Sequence, residues 1–486
     1  MFFRKFLPIF LFVFFSAPLP AKVESRESFH TTTIAEHRIE ILESGFYSLL
    51  KRLRMIQRAK KRIDMEYYIF QSDLSGYLVL QALIEKARHG VRVRILLDDA
   101  SKLFIRNPLS PFTANYLKNH HGIEVKYYNT NIANLHEYQR RNHRKLISID
   151  ESEIMIGGRN IGDDYFDIDP SYNYLDRDIW VKGPIVKDVA KTIDIMWNAP
   201  QSKPISPPSH PLGVFCDDEN EPFCHRLVQE WKKGKMDSAR FIRGEFLTGK
   251  RRIIVDALKK LDDMGLSRGV ACNRLSFISD IPGIGLANGS TVGSEVLKRI
   301  YRSKDEVWIE SPYFIVKRQN QKKFKHWLAR GEKTYLLTNT LHSTDNLIAT
   351  ANFYSHLEGF IRSGLKVSLF DGSLPDGYPL SVTQQWNGRW GGHAKSIVFD
   401  DDSAMIGTNN FDPRSVDLNF EMAVFCDDSP GFRNALLEKM KSRLSSTYSV
   451  TTTQQIRNSY RKDTSLLKIL AFHFLRFPSL LFEHLL

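Results

Sequence analysis

The octet His143-Arg144-Lys145-Leu146-Ile147-Ser148-Ile149-Asp150 recurs as His393-Ala394-Lys395-Ser396-Ile397-Val398-Phe399-Asp400. Both follow the pattern H-x-K-x-x-x-x-D, with a glycine 14 positions after the histidine (Gly157, Gly407) and an asparagine 17 after it (Asn160, Asn410). One such triple in a long chain is weak evidence; two with matching downstream residues are strong. Each octet ends in an apolar, β-branched-rich run, which predicts a strand. A period of two then places His143 with Lys145, and His393 with Lys395, on one face where each pair can meet the same ligand. Asp150 and Asp400 stand an odd number of residues further on, so they are expected on the opposite face as structural groups.

The repetition extends outward. Met65 to Phe70 has a counterpart in Ile309 to Phe314, Gly90 to Leu97 in Gly331 to Leu337, and Gly122 to Lys126 in Gly364 to Ser368, at offsets of 244, 241 and 242. So constant a spacing implies a duplicated domain. Within a copy, apolar runs alternate with helical stretches such as Gly76 to Arg88, where Tyr77, Leu80, Leu83, Ile84 and Ala87 lie near one face. That order predicts an α/β sandwich. Five prolines between Pro200 and Pro211 mark a linker, giving a first domain over 35–199, a linker over 200–215, a second domain over 216–450 and an apolar tail over 451–486.

The 486 residues are 42% hydrophobic and 25% charged, a composition that excludes a disordered chain. The net charge of +13 favours an acidic partner: a phosphate-bearing substrate, an anionic membrane surface or nucleic acid. Four cysteines lack the spacing of a zinc site. Cys216 and Cys224 either form a disulfide or remain thiols. Arg4 and Lys5 followed by the apolar run Phe6 to Phe15 read 1–21 as an export signal or a short anchor. Leu466 to Leu486, rich in Leu and Phe but broken by Lys468, Arg476 and Pro478, either lies in a membrane interface or packs on the second domain. Trp386, Trp390, Tyr67 and Tyr68 suit a membrane interface, though such rings are more often core.

Bringing the copies together assembles two imidazoles and two ammonium groups. Phosphodiester cleavage without a metal or cofactor needs that set: a nucleophile for phosphorus, a proton donor for the departing oxygen and fixed positive charge. Asn160 and Asn410 add neutral donors. Each histidine needs a partner on its other ring nitrogen, and Asp178 (in Asp176-Arg177-Asp178) and Glu421 occupy comparable places after the two motifs.

These residues resemble the phospholipase D superfamily. The flanking Gly157-Gly158-Arg159-Asn160 and Gly407-Thr408-Asn409-Asn410-Phe411-Asp412-Pro413-Arg414-Ser415 are most similar to bacterial cardiolipin synthases of the C type. Thr408 departs from the family's usual Ser but keeps a hydroxyl. The resemblance implies a duplicated α/β/α sandwich in which two pseudo-symmetric domains share one active site, so that a monomer suffices. It implies phosphatidyl transfer through a phosphatidyl-histidine on His143, with His393 as acid and base, Lys145, Lys395, Asn160 and Asn410 on the phosphate, and no cofactor. The donor would be phosphatidylglycerol or phosphatidylethanolamine, the acceptor phosphatidylglycerol, the product cardiolipin, and the setting the membrane of the bacterial cell envelope. A hydrolytic phospholipase D and a nuclease are the alternatives; a non-enzymatic lipid scaffold is disfavoured because neither motif has lost a residue.

Overall fold

A computed structural model describes residues 26–486 apart from 101–107, 131–137, 205, 208, 213, 215, 217, 246–253, 255–268, 283–290, 332 and 379–387. The expected signal or anchor at 1–21 and Trp386 lie outside the described residues. The first half contains β1 (Arg26–Leu42), β2 (Arg62–Tyr67), β3 (Arg92–Asp98), β4 (Glu124–Tyr128), β5 (Leu146–Ile149), β6 (Glu153–Gly157), β7 (Tyr172–Leu175), β8 (Asp178–Lys182) and β9 (Ser202–Pro204). The second contains β10 (Val270–Pro282), β11 (Glu306–Glu310), β12 (Lys333–Asn339), β13 (Lys366–Phe370), β14 (Arg389–Gly392), β15 (Ser396–Phe399), β16 (Ser403–Gly407), β17 (Met422–Asp427) and β18 (Thr447–Val450).

Sixteen of these strands form one sheet in the order β9-β4-β3-β2-β5-β6-β8-β1-β10-β17-β16-β15-β11-β12-β13-β18, which reads as the same eight-strand pattern from either end. The duplication is therefore a two-fold whose seam is the long antiparallel pair β1–β10. β7 and β14 pair separately across that two-fold. Side chains alternate across the sheet as strand geometry demands. Ile147, Ile149 and Met155 join the core beneath the Gly45–Arg58 and Leu74–Arg88 helices. Leu146, Ile154 and Ile156 join a second core, shared by both halves, beneath Val186–Asn198 and Pro430–Ser442. Helix starts are locally encoded: Ser44, Asp73, Ser110, Thr291 and Asn346 each accept a first-turn backbone N–H through the side chain.

The structure redraws several expectations. The motifs do not open as strands. β5 begins at Leu146 and β15 at Ser396, and each His-Lys pair occupies the lead-in, because its backbone bonds to the opposite half instead of to a sheet neighbour: His143 N donates to Phe420 O at 3.0 Å and His393 N to Leu175 O at 2.8 Å. The 200–215 boundary does not separate the halves. β9 closes the first half's edge against β4, and the following Pro222–Arg243 helix packs back onto that half through Trp231 against Phe112 and Phe241 against Tyr77. The first half also starts earlier than residue 35, with β1. The tail holds two helices, Thr453–Arg461 and Leu466–Leu481; the second buries Phe472 and Leu475 in the second half's core while leaving its other face exposed. All four cysteines are paired, Cys216 with Cys224 and Cys272 with Cys426, at Cα separations of 5.6 and 6.1 Å.

Candidate active site

The two lead-ins meet at the two-fold, and each histidine is held by a carboxylate from the other half. His143 Nδ1 lies 2.9 and 3.0 Å from the two oxygens of Glu421. His393 Nδ1 lies 2.5 Å from Asp176 Oδ2. The lysines fold back alongside: Lys145 Nζ donates to His143 O at 2.7 Å, and Lys395 Nζ to His393 O at 2.5 Å while lying 3.1 Å from His393 Nε2. Tyr68 packs edge-on to His143, and Tyr165 and Tyr174 flank His393. These rings shield His393 almost fully and leave His143 partly open toward the cavity described below.

Asp178 does not orient a histidine. It accepts from Ser48 Oγ at 2.6 Å and pairs with buried Arg52 and Arg159 at 3.0 and 3.3 Å. Strand register explains the displacement: Gly157 pairs with Asp178 and Gly407 with Ala423, so the equivalent of Glu421, two residues before Ala423, is Asp176. No sequence signal separates the two aspartates; in the fold, a Cβ at Gly158 would meet the Asp176 carboxylate at 2.1 Å.

Glu421 accepts further bonds from Thr408 Oγ1 (2.5 Å), Ser415 Oγ (2.9 Å) and Asn419 Nδ2 (3.3 Å), which is the use made of the hydroxyl at Thr408. Asn160 Oδ1 accepts from Ile69 N at 3.1 Å, and Asn410 Oδ1 is buried without a partner. Asp150 and Asp400 lie at the far ends of β5 and β15. Both have positive φ (53° and 44°), tolerable for aspartate, and their carboxylates gather the backbone N–H groups that open β2 and β11: Lys60, Lys61 and Arg62 for one, Lys304, Asp305 and Glu306 for the other.

The electrostatics of the halves differ. Burial, then Lys145 and Lys395, holds His143 well below the ordinary imidazole range. Burial pushes its partner Glu421 up to about 7 against the pull of Lys145. His393 is also lowered, by burial and Lys395, but the Asp176 carboxylate opposes this. Burial would raise Asp176; His393 and Lys395 overcome it and hold the carboxyl well below the usual range. Burial pushes Lys145 down to about 7 and Lys395 to about 8. The two braces thus differ: Asp176 is held ionised and opposes the lowering of His393, whereas burial raises Glu421 beside a His143 that is lowered further.

Behind Asp176 lies a buried quartet absent from the sequence reading. Arg177 binds Glu43 at 2.7 Å and Glu310 at 2.6 Å; Arg443 binds the same two carboxylates, Glu43 at 2.5 Å and Glu310 as a second pair. It ties the halves together, and removing one member would cost about 3–5 kcal/mol by stranding a buried charge. On the His143 side a cavity of about 270 Å³ is walled by Tyr68, Arg141, Asn410, Arg414, Ile348 and Leu486, among others. Arg414, also unforeseen, anchors Gln139 and the backbone of Leu485 there. Among the described residues no group of three or more His, Cys, Asp or Glu side chains is placed to hold a metal ion.

A duplicated α/β fold with paired histidines and lysines at its two-fold defines a phospholipase D-like enzyme. The model of the cardiolipin synthase, phospholipase D-like domain matches residues 53–197 and 296–445. The chain belongs to that family and is a phosphatidyltransferase of the phospholipase D superfamily. It is 30% identical over 407 residues to cardiolipin synthase C of Escherichia coli strain K12, covering 78% of this chain and 79% of that protein. It is 23% identical over 401 residues to the major cardiolipin synthase ClsA of Bacillus subtilis strain 168, covering 82% and 67%. The crystal structure of phosphatidylserine synthase from Haemophilus influenzae Rd KW20 superposes with a TM-score of 0.62 at 16% identity, covering 92% of this chain and 95% of that one, a likeness of fold.

Proposed function

We propose that the protein makes cardiolipin by transferring a phosphatidyl group to phosphatidylglycerol from a second phospholipid, phosphatidylglycerol or phosphatidylethanolamine. His143 Nε2 attacks phosphorus and forms a P–N bond. The P–O bond to the headgroup breaks, and His393 gives its proton to the departing oxygen. In the second step His393 takes the proton of the acceptor's headgroup hydroxyl, the new P–O bond forms and His143 leaves. Lys145, Lys395, Asn160 and Asn410 bind the phosphoryl oxygens; Asp176 and Glu421 fix the tautomers.

The observation that carries this reading is the crossed bracing, which commits each Nδ1 to a buried carboxylate and leaves each Nε2 as the reacting nitrogen. The unequal braces support the division of labour. Glu421, raised to about 7, demands little positive charge of His143 and keeps it a neutral nucleophile, whereas ionised Asp176 favours a protonated His393. One chain supplies both motifs, so a monomer suffices. The two disulfides support an oxidising compartment such as the bacterial cell envelope.

The test is product analysis by mass spectrometry, with the purified protein acting on vesicles of both lipids. Cardiolipin is expected, and His143→Ala and His393→Ala should each lower kcat at least about a thousand-fold. Normal transfer by either variant refutes the two-histidine mechanism, and phosphatidic acid in place of cardiolipin makes the protein a hydrolase.

A further inference from the structure

The Leu466–Leu481 helix is apolar on both faces. Its inner face packs on the Leu347–Arg362 helix, with Phe472 edge-on to Tyr354 and Ser479 O accepting from Asn352. On its outer face Leu466, Leu470, Phe474, Phe477 and Leu481 recur at steps of four, four, three and four, so they form one stripe, and they are 58–71% exposed. Leu467 and Leu480 widen it. Seven of the twelve exposed large apolar side chains among the described residues are on this one helix. Scattered exposed leucines need no explanation, but a contiguous stripe marks an interaction site.

We infer that this stripe seats the enzyme on an anionic bilayer and presents the mouth of the His143 cavity to the lipid surface; the inference rests on the phospholipid-transfer reading. Sixteen residues rise only about 24 Å, short of the roughly 30 Å hydrocarbon core, and no described helix is long and apolar enough to cross a membrane. A helix of this kind lies in the plane of the interface with one face immersed. Charge favours an anionic surface: from 453 to 482 the chain has five basic residues and one acid, Asp463; Arg457, Arg461, Lys462 and Arg476 are exposed, and Arg461 and Arg476 lie near enough to His473 on the helix to act on its charge. Position links stripe to chemistry. The chain leaves the helix and runs to Leu485 and Leu486, which wall the cavity beside His143 and are held there by Arg414, whose N donates to Leu486 O at 2.7 Å. The Leu347–Arg362 helix beneath the stripe supplies Ile348 and Ala349 to the same wall. A lipid leaving the bilayer at this edge keeps apolar surface under its acyl chains until its phosphate reaches the imidazoles.

The experiment compares the full chain with the double variant Phe474→Glu/Phe477→Glu, and separately with Leu470→Gln, by flotation on phosphatidylglycerol-containing vesicles. Transfer is followed on those vesicles and on monomeric dihexanoyl-phosphatidylglycerol. The double variant should bind and turn over vesicles at least about tenfold less well, with Leu470→Gln intermediate, while turnover of the monomeric lipid stays unchanged. Unchanged vesicle binding, or equal loss on both lipids, overturns the inference. So does sedimentation showing a dimer that the variants dissociate without loss of flotation, since the stripe would then face a second copy. Flotation without transfer on either lipid would instead refute the proposed function and leave the docking face standing.

Discussion

Replacing Asp176 with Asn should cripple chemistry while sparing the fold. The carboxylate accepts the Nδ1 proton of His393 at 2.5 Å in a fully buried setting. A buried hydrogen bond to a charged partner contributes about 1.5–3 kcal/mol. At about 1.4 kcal/mol per factor of ten, its loss lowers kcat by roughly 10- to 150-fold. A direction in pH accompanies this. Asp176 raises the affinity of His393 for a proton, so without it protonated His393 survives only to lower pH, and the alkaline limb of the kcat profile should move toward acid. Asp178→Asn is the contrasting variant. It strips a carboxylate from Arg52 and Arg159 in the core and should cost about 3–5 kcal/mol of stability, read as a lower thermal midpoint. If Asp176→Asn kept more than half its kcat with an unmoved alkaline limb, the assignment of Asp176 as the positioning residue for His393 would be wrong.

Gly158→Ala places a methyl group against Oδ1 of the Asp176 carboxylate, the oxygen that accepts Arg177 N at 2.7 Å, while the other oxygen holds His393, so the short side chain cannot swing aside without losing a bond; kcat should fall at least about tenfold, with the same acidward shift as Asp176→Asn, and a variant with normal kcat would show that the pocket relaxes. Lys145 and Lys395, pushed by burial to about 7 and 8, are partly neutral at pH 8 in the free enzyme. A bound phosphate dianion raises both, so titration with inorganic phosphate at that pH should show net proton uptake by calorimetry in buffers of differing ionisation enthalpy; proton release would contradict it.

The motif residues and the duplication were legible because they repeat, and repetition is visible without coordinates. Much of what joins the halves does not repeat. Glu66 and Glu310 are counterparts, yet Glu310 belongs to the quartet with Arg177 and Arg443, while Glu66 pairs with Arg144 and Asn142. The seam strand β1 is rich in Thr, His and charged residues, so it lacks the apolar run that marks a central strand, although its buried residues alternate with exposed ones over part of its length. Asp176 and Asp178 flank one arginine at comparable places after the first motif, and sequence position does not choose between them. Register against Gly157 is what decides the pairing, and register is a property of the folded sheet. The Pro222–Arg243 helix followed a proline-rich stretch and so looked like the start of a new unit; its amphipathic face carries no label of the half on which it packs.

The exchange of carboxylates across the two-fold has an evolutionary corollary. After an ordinary gene duplication one copy is free to drift, but here a change near 176 is felt at 393 and a change near 421 at 143. The repeats have diverged elsewhere, Arg144 standing opposite Ala394, and even the braces differ in length, Asp against Glu. Each half nevertheless remains hostage to its twin: neither can decay into a passive scaffold without silencing the imidazole of the other.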